Sequence, residues 1–179
     1  VEADDSILEL TKARLPWLVL ALFGGFISVK VLGIFEPMME SHRMLLFFTP
    51  LIAAMAGNVG VQSSAIVVQG LANNSITGSL WNRLLKELSL SLLNGSILAG
   101  ILILGSHFLL GYEFIIGITV SIALLSVIVI ASLIGTFIPI VLDKYGVDPA
   151  LATGPFITTS NDIIGIIIYF TIAKLVLGI

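Results

Sequence analysis

The chain has 179 residues, of which 58% are hydrophobic and 11% are charged, and its formal net charge is −3. A soluble domain carries about 25% charged residues, so most of this protein's surface has to face something other than water. The composition therefore predicts an all-α, polytopic membrane protein surrounded by membrane lipid, and the negative net charge argues against a nucleic-acid partner. The absence of cysteine excludes thiolate metal sites and disulfides.

Five apolar runs are each long enough to cross a bilayer as a helix, which takes about 20 residues. In chain order, the spans are predicted at 15–35, 44–70, 84–110, 114–142 and 150–178. The third and fourth spans are separated by a short turn, so we expect them to form an antiparallel hairpin.

The distribution of basic residues predicts the orientation, because short cytoplasmic loops are enriched in lysine and arginine. With the N-terminus inside, the cytoplasmic basic residues are Lys12, Arg14, Arg83, Lys86 and Lys144. The basic residues at the outer face are then Lys30, Arg43 and Lys174. This bias predicts a multi-pass protein of the cell membrane with a cytoplasmic N-terminus and an outer C-terminus.

The second span contains a polar string in which Gly57 and Gly60 flank Asn58. We expect this string to interrupt the helix, because backbone that departs from a helix at membrane depth is tolerated where it is buried in protein or faces water. Glycine permits that departure and lets a ligand approach the main chain. The side-chain oxygens of Asn58 and Gln62 suit a cation. The alternative is that these amides form hydrogen bonds between helices.

The fifth span carries Asp162 near its middle. An ionisable residue at membrane depth costs at least about 2.5–3.5 kcal/mol on insertion scales and usually lines a pathway or a site. On a helix, Thr158 and Gly154 precede Asp162 by one and two turns and share its face. Pro155 leaves the carbonyl of Leu151 without its helical amide partner. This face predicts the wall of a permeation pathway, and the alternative is a carboxylate that pairs with a neighbouring helix for packing.

The chemistry around Asp162 indicates a hard cation. One carboxylate cannot surround a bare divalent ion, but Mg²⁺ dehydrates reluctantly and usually keeps several waters beside one or two carboxylates. A homodimer with a two-fold axis at Asp162 would supply two carboxylates, and such dimers are the commonest oligomers. Thr158, Asn58 and backbone carbonyls would hold the waters. No histidine or cysteine lies near either string, which disfavours zinc and copper.

Two strings, PLIAAMAGNVGVQSSAIVVQGLA (50–72) and DPALATGPFITTSNDIIGIIIYF (148–170), resemble the membrane domain of MgtE-type magnesium channels, which have eukaryotic solute-carrier relatives. The resemblance implies a homodimer of five-helix domains with a pore at the dimer interface, formed mainly by the second and fifth spans. It also implies that Mg²⁺ is both the transported ion and a ligand of the pore.

The resemblance also implies the residues of the metal site. Asp162 corresponds to the central pore aspartate, and the carbonyl of Thr158 would hold the hydrated ion. Asp148 corresponds to the aspartate at the cytoplasmic mouth. The glycine-asparagine string corresponds to Gly57, Asn58 and Gly60. The chain differs from the family pattern at Gly154, where some members have a polar residue, and at Ala56, where a second glycine is common.

Full-length members of that family carry cytoplasmic magnesium-sensing domains, joined to the first span by a long helix. The resemblance therefore implies that 1–14 is the end of a cytoplasmic connecting helix, with Glu2, Asp4, Asp5 and Glu9 facing water. It also implies that 15–179 is the five-helix transmembrane, ion-conducting domain. The regulatory domains would be partners outside this sequence. We expect the chain to be a fragment or a relative that lacks them.

Three functions are compatible with these features. The first is passive conduction of hydrated Mg²⁺ with Asp162 as the central site. The alternative is a proton- or sodium-coupled secondary transporter of divalent cations, in which Asp162 carries the coupling ion. The third is a non-transporting membrane anchor. We do not expect an enzyme, because an intramembrane aspartyl protease needs a second aspartate at membrane depth and the spans contain none.

Overall fold

The computed structural model describes residues 6–76 and 78–179, and regular structure within these ranges is helical. The helices are α1 (Ile7–Ile34), α2 (Glu36–Ser41), α3 (Arg43–Ala72), α4 (Leu80–Phe108), α5 (Phe114–Lys144) and α6 (Pro149–Leu177). Among the described residues, five helices are long and apolar enough to cross a membrane, namely all except α2. The predicted all-α class with five membrane-spanning helices is confirmed.

α1 begins at Ile7 rather than at the predicted residue 15, so the described part of the proposed connecting segment is helical and continuous with the first span. Ser6 and Glu9 form a capping box, in which each side chain accepts a hydrogen bond from the other residue's backbone amide. Glu2, Asp4 and Asp5 lie outside the described residues. The short helix α2, which follows α1 directly, was not expected from the sequence.

α3 is an unbroken helix, so the prediction that its polar string interrupts the span is wrong. Two glycines instead allow α3 and α5 to touch. A Cβ on Gly135 of α5 would lie 2.5 Å from the carbonyl oxygen of Gly60 of α3. A Cβ on Gly60 would in turn overlap the side chains of Asn161 and Ile157 on α6. Small residues at such crossings let helix backbones approach closely in a membrane.

α5 is the central helix of the bundle. It packs extensively against α3, α4 and α6, while α1 packs on α6 and α3 also contacts α6. α3 and α4 hardly touch each other, because both lie against α5. Large apolar side chains on the outer faces of α1 and α4 are exposed, as expected for helices that face lipid. Examples are Leu22, Phe23, Phe26, Leu93, Ile97 and Ile101.

Candidate ion-binding site

Asp162 lies half-buried on α6, in a small crevice where α6 crosses α3. The crevice is lined by Thr49, Ile52, Ala53, Asn161, Asp162, Gly165, Ile166 and Tyr169, and its volume is about 10 Å³. None of these residues is basic, so no lining side chain neutralises the carboxylate. The crevice alone is barely large enough for one water, and space for a hydrated ion would have to lie outside it.

Asn161 fixes the position of α6 beside this carboxylate. Its side chain is 2% exposed, and its Nδ2 donates a 3.0 Å hydrogen bond to the carbonyl oxygen of Ala56 on α3. Its Oδ1 is buried without a hydrogen-bond partner in the described structure. Asn161 is not among the site residues predicted from the sequence. Its only sequence signal is an amide side chain directly before the intramembrane carboxylate.

Tyr169 makes a second connection between α6 and α3, two turns beyond Asp162. The hydroxyl of Tyr169 donates a 2.6 Å hydrogen bond to the carbonyl oxygen of Leu45, and the side chain is fully buried. The next residue, Phe170, stacks on Phe35 with ring centroids 5.0 Å apart. These contacts hold the C-terminal half of α6 against α3 and against the end of α1, so the helix that carries Asp162 is anchored on both sides of it.

The predicted face of α6 is open along the half that precedes Asp162. Thr158 and Gly154 are exposed, and a Cβ added to Gly154 would meet no atom within 4 Å. On α3, Thr49 and Ala53 line the crevice, and Gly57 follows them one turn later on the same face. A Cβ on Gly57 would also meet nothing within 4 Å. Thr158 and Gly154 of α6 and Gly57 of α3 therefore belong to one exposed stripe, which reaches Asp162.

Two of the predicted residues are not beside Asp162. Gly60 is buried at the crossing of α3, α5 and α6, where no ion can reach it from the exposed stripe. Asn58 is exposed but lines a different groove, between α3 and α4, together with Gln62 and Glu87. Within one chain, the structure therefore brings Thr158 and Gly57 to the same surface as Asp162 but separates Asn58 from it.

Asp148 is the N-cap of α6, and its side chain accepts a 2.9 Å hydrogen bond from the amide of Ala150. It is exposed. At a rise of about 1.5 Å per residue, Asp148 is roughly 21 Å along the helix from Asp162. The two carboxylates therefore cannot bind the same ion, and Asp148 lies at the end of the span that the positive-inside rule assigns to the cytoplasm.

No three His, Asp or Glu side chains come together in the ranges 6–76 and 78–179. On this stripe, one chain thus offers the carboxylate of Asp162 at mid-membrane, the hydroxyl of Thr158 and the main-chain atoms around Gly57 and Gly154. Such a ligand set suits an ion that keeps most of its waters.

Comparison with known proteins places the chain in a family. The MgtE family model, described as a divalent cation transporter, matches residues 49–172. The magnesium transporter MgtE of Bacillus subtilis is 39% identical over 89% of this chain and 36% of its own length. The corresponding protein of Enterococcus faecalis is 35% identical over 97% of this chain and 38% of its own. The magnesium transporter MgtE of Thermus thermophilus is 32% identical over 99% of this chain and 39% of its own length.

The chain spans less than two fifths of the length of these relatives. The family model nevertheless covers most of this chain, including α6 up to and beyond Asp162. The resemblance seen in the two polar strings is confirmed, and the chain belongs to the MgtE family of divalent cation transporters.

Proposed function

We propose that this chain conducts hydrated Mg²⁺ across the cell membrane through a pore at the interface of a homodimer, with Asp162 as the central ion site. The observation that carries the proposal is the half-buried carboxylate of Asp162, midway along a membrane-spanning helix, with no basic residue lining its crevice. The names of the three relatives, each called a magnesium transporter, support Mg²⁺ as the ion.

The exposed stripe explains why a second copy of the chain is needed. A carboxylate exposed to hydrocarbon is costly, and Asp162 shares its surface with Thr158 and Gly57 rather than with an apolar face. If two such stripes meet on a two-fold axis, the two carboxylates balance the charge of one divalent ion. Isologous pairing of this kind is the commonest arrangement of homo-oligomers.

The ion would keep its waters at this site. Mg²⁺ is normally held by one or two carboxylates and several waters, and the hydroxyl oxygen and main-chain carbonyl oxygen of Thr158 are suited to accept hydrogen bonds from those waters. Gly57 carries no side chain that would fill the space between the two chains. Asn58 and Gly60 would have different roles. Gly60 would let α3 and α6 touch, and Asn58 would hold water in the groove between α3 and α4.

Asp148 would serve the cytoplasmic mouth of the pore. An exposed carboxylate there, doubled in a dimer, raises the local concentration of cations. The same end of the bundle would receive the cytoplasmic regulatory domains, which are proposed partners. The membrane potential favours inward flow by about 4.6 kcal/mol per 100 mV for a divalent ion, twice the value for a single charge, so no coupling ion is required.

The test is Mg²⁺ influx into liposomes that contain the purified chain and a fluorescent Mg²⁺ indicator. Asp162→Asn keeps the size of the side chain and removes its charge, so flux is expected to fall to the level of empty liposomes. Asp143→Asn is the matched control, because Asp143 is exposed at the end of α5 and its loss should leave the flux unchanged. Undiminished flux through Asp162→Asn would remove the proposed role of this residue.

The same assay separates conduction from coupled transport. A channel needs only the Mg²⁺ gradient and the membrane potential, so its flux should not change when a pH or Na⁺ gradient is imposed at constant potential. Flux that requires either gradient would identify a coupled secondary transporter instead of a channel.

A further inference from the structure

A polar groove lies between α3 and α4, on a different face of α3 from the one that lines the crevice of Asp162. It has a volume of about 520 Å³, and its floor is formed by α5. The groove exists because α3 and α4 both pack on α5 and hardly contact each other. Its polar lining consists of Asn58, Gln62, Ser63, Glu87, Ser91, Asn94 and Ser132.

Glu87 is the one charged side chain among the described residues that line this groove. It is partly buried, and its Oε1 accepts a 2.5 Å hydrogen bond from the hydroxyl of Ser63. Its other oxygen, Oε2, has no comparable partner in the described structure. Ser91 and Asn94 follow Glu87 at one and two turns and so lie on the same face of α4.

The polar groups extend from the edge of the membrane toward its centre. Glu87 is about 10 Å along α4 from the first residue of the helix, and Asn94 is about 10 Å deeper. Asn58 lies near the midpoint of α3. Exposing a carboxylate and several amides to hydrocarbon is expensive, so lipid chains are a poor occupant for this groove. Its chemistry favours water and an ion.

We infer that the groove between α3 and α4 is a second divalent-cation site, in which Glu87, supported by Ser63, holds a hydrated ion whose waters are bound by the amides of Gln62 and Asn58. Hard cations that keep their waters prefer carboxylate and neutral oxygen ligands. Six waters occupy roughly 180 Å³ at about 30 Å³ each. The groove therefore has room for a hexahydrated ion, and it holds no histidine or basic side chain among its described lining.

This site is independent of the proposed pore. Asp162 and Glu87 face different sides of α3, and no residue lines both the crevice and the groove. Occupation of the groove therefore does not require Asp162, and the two proposals can fail separately.

The experiment uses the absence of native cysteine, so that one introduced cysteine carries the only thiol. Asn94→Cys is made in the Asp162→Asn background, which removes the proposed pore site, and the protein is reconstituted in liposomes. An uncharged, water-soluble maleimide then measures whether water reaches the groove. Leu93→Cys in the same background is the matched control, because Leu93 is at the same depth, 62% exposed and outside the groove.

We expect the cysteine at 94 to react at least ten times faster than the cysteine at 93, and millimolar Mg²⁺ to slow the reaction at 94 several-fold at constant ionic strength. Adding Glu87→Gln should abolish the protection by Mg²⁺ while leaving the reaction without Mg²⁺ fast. Glu87→Asp keeps the charge and should retain part of the protection by Mg²⁺. That result would show that the groove is intact in a Glu87 variant.

Two results would overturn the inference. An unreactive cysteine at 94 would mean that the groove is closed by lipid or by a second copy of the chain. A reactive cysteine whose rate does not respond to Mg²⁺, in protein that still contains Glu87, would mean that the groove holds water without a cation.

Discussion

The side-chain amide of Asn161 donates a 3.0 Å hydrogen bond to the main-chain carbonyl of Ala56, and this contact joins α6 to α3 one residue before Asp162. Because successive residues on a helix point about 100° apart, burying Asn161 against α3 turns Asp162 toward the edge of the α3–α6 contact. The hydrogen bond therefore sets the direction of the proposed ion-binding carboxylate as well as the packing of the two helices.

Replacing Asn161 with alanine should lower both stability and flux. The variant loses one buried hydrogen bond, worth about 0.5–1.5 kcal/mol, and leaves a small cavity. Asn161→Asp should be worse, because an aspartate oxygen would face the carbonyl of Ala56 and a second charge would be buried. The measurement is denaturant unfolding in detergent followed by tryptophan fluorescence, together with liposome flux. Ser160→Ala is the neighbouring control, and an Asn161→Asp variant as stable as wild type would contradict this account.

The glycines of the α3–α5 crossing give a second prediction. Gly135→Ala places a methyl group 2.5 Å from the main-chain oxygen of Gly60, and backbone cannot rotate away. Overpacking of this kind costs about 1–3 kcal/mol or more, which should appear as a lower midpoint in the same unfolding experiment. A Gly135→Ala variant with an unchanged midpoint would show that the two helices can separate without loss.

Gly57→Ala is the matched variant for this test, since a Cβ there meets nothing within 4 Å. In a helix interior, alanine is more favourable than glycine by about 0.5–1 kcal/mol, so the stability of the chain should rise or stay the same. If Gly57 also lines the proposed dimer pore, its added methyl group should reduce Mg²⁺ flux despite that stability. Equal flux would place Gly57 outside the conduction path.

Tyr169→Phe should test the connection between the C-terminal half of α6 and α3. The variant keeps the ring but loses the 2.6 Å hydrogen bond to the carbonyl of Leu45, at an expected cost of about 0.5–1.5 kcal/mol. Tyr145→Phe is the control, because Tyr145 is 77% exposed and no such bond is lost. The comparison is made by denaturant unfolding, and equal midpoints for the two variants would show that the buried bond adds no stability.

The helices were predictable from the sequence, whereas their contacts were only partly so. The apolar runs located all five spans, because length and hydropathy are local properties. The break expected in α3 is absent, since Gly60 serves a close helix crossing instead of a change in backbone direction. Taking α3 as a continuous helix would have shown from periodicity alone that Gly57 shares a face with Ala53 and that Asn58 does not.

The role of Asn161 was harder to predict. Its neighbour Asp162 is the charged residue and therefore the stronger signal in the sequence. Whether Asn161 or Asp162 is buried depends on how α6 is rotated against α3. That rotation is set by contacts distant in the sequence, such as those of Tyr169 with Leu45. The groove beside Glu87 has the same origin, because it depends on two helices, α3 and α4, that pack on a third, α5, and hardly contact each other.

Asp148 has a structural role as well as a proposed functional one, and two substitutions separate them. Asp148→Ala removes both the cap of α6 and the charge at the proposed cytoplasmic mouth, whereas Asp148→Ser keeps a capping oxygen and removes only the charge. An N-cap is worth about 1 kcal/mol, so only the alanine variant should lower the unfolding midpoint.

If the charge of Asp148 concentrates cations at the mouth, both variants should lower Mg²⁺ flux when Mg²⁺ is supplied from that side at low ionic strength. The difference from wild type should shrink as salt is raised, because the Debye length falls from about 30 Å at 0.01 M to about 10 Å at 0.1 M. Flux is measured across this range in liposomes with known orientation. A serine variant that matches wild type at every salt concentration would leave Asp148 with its capping role alone.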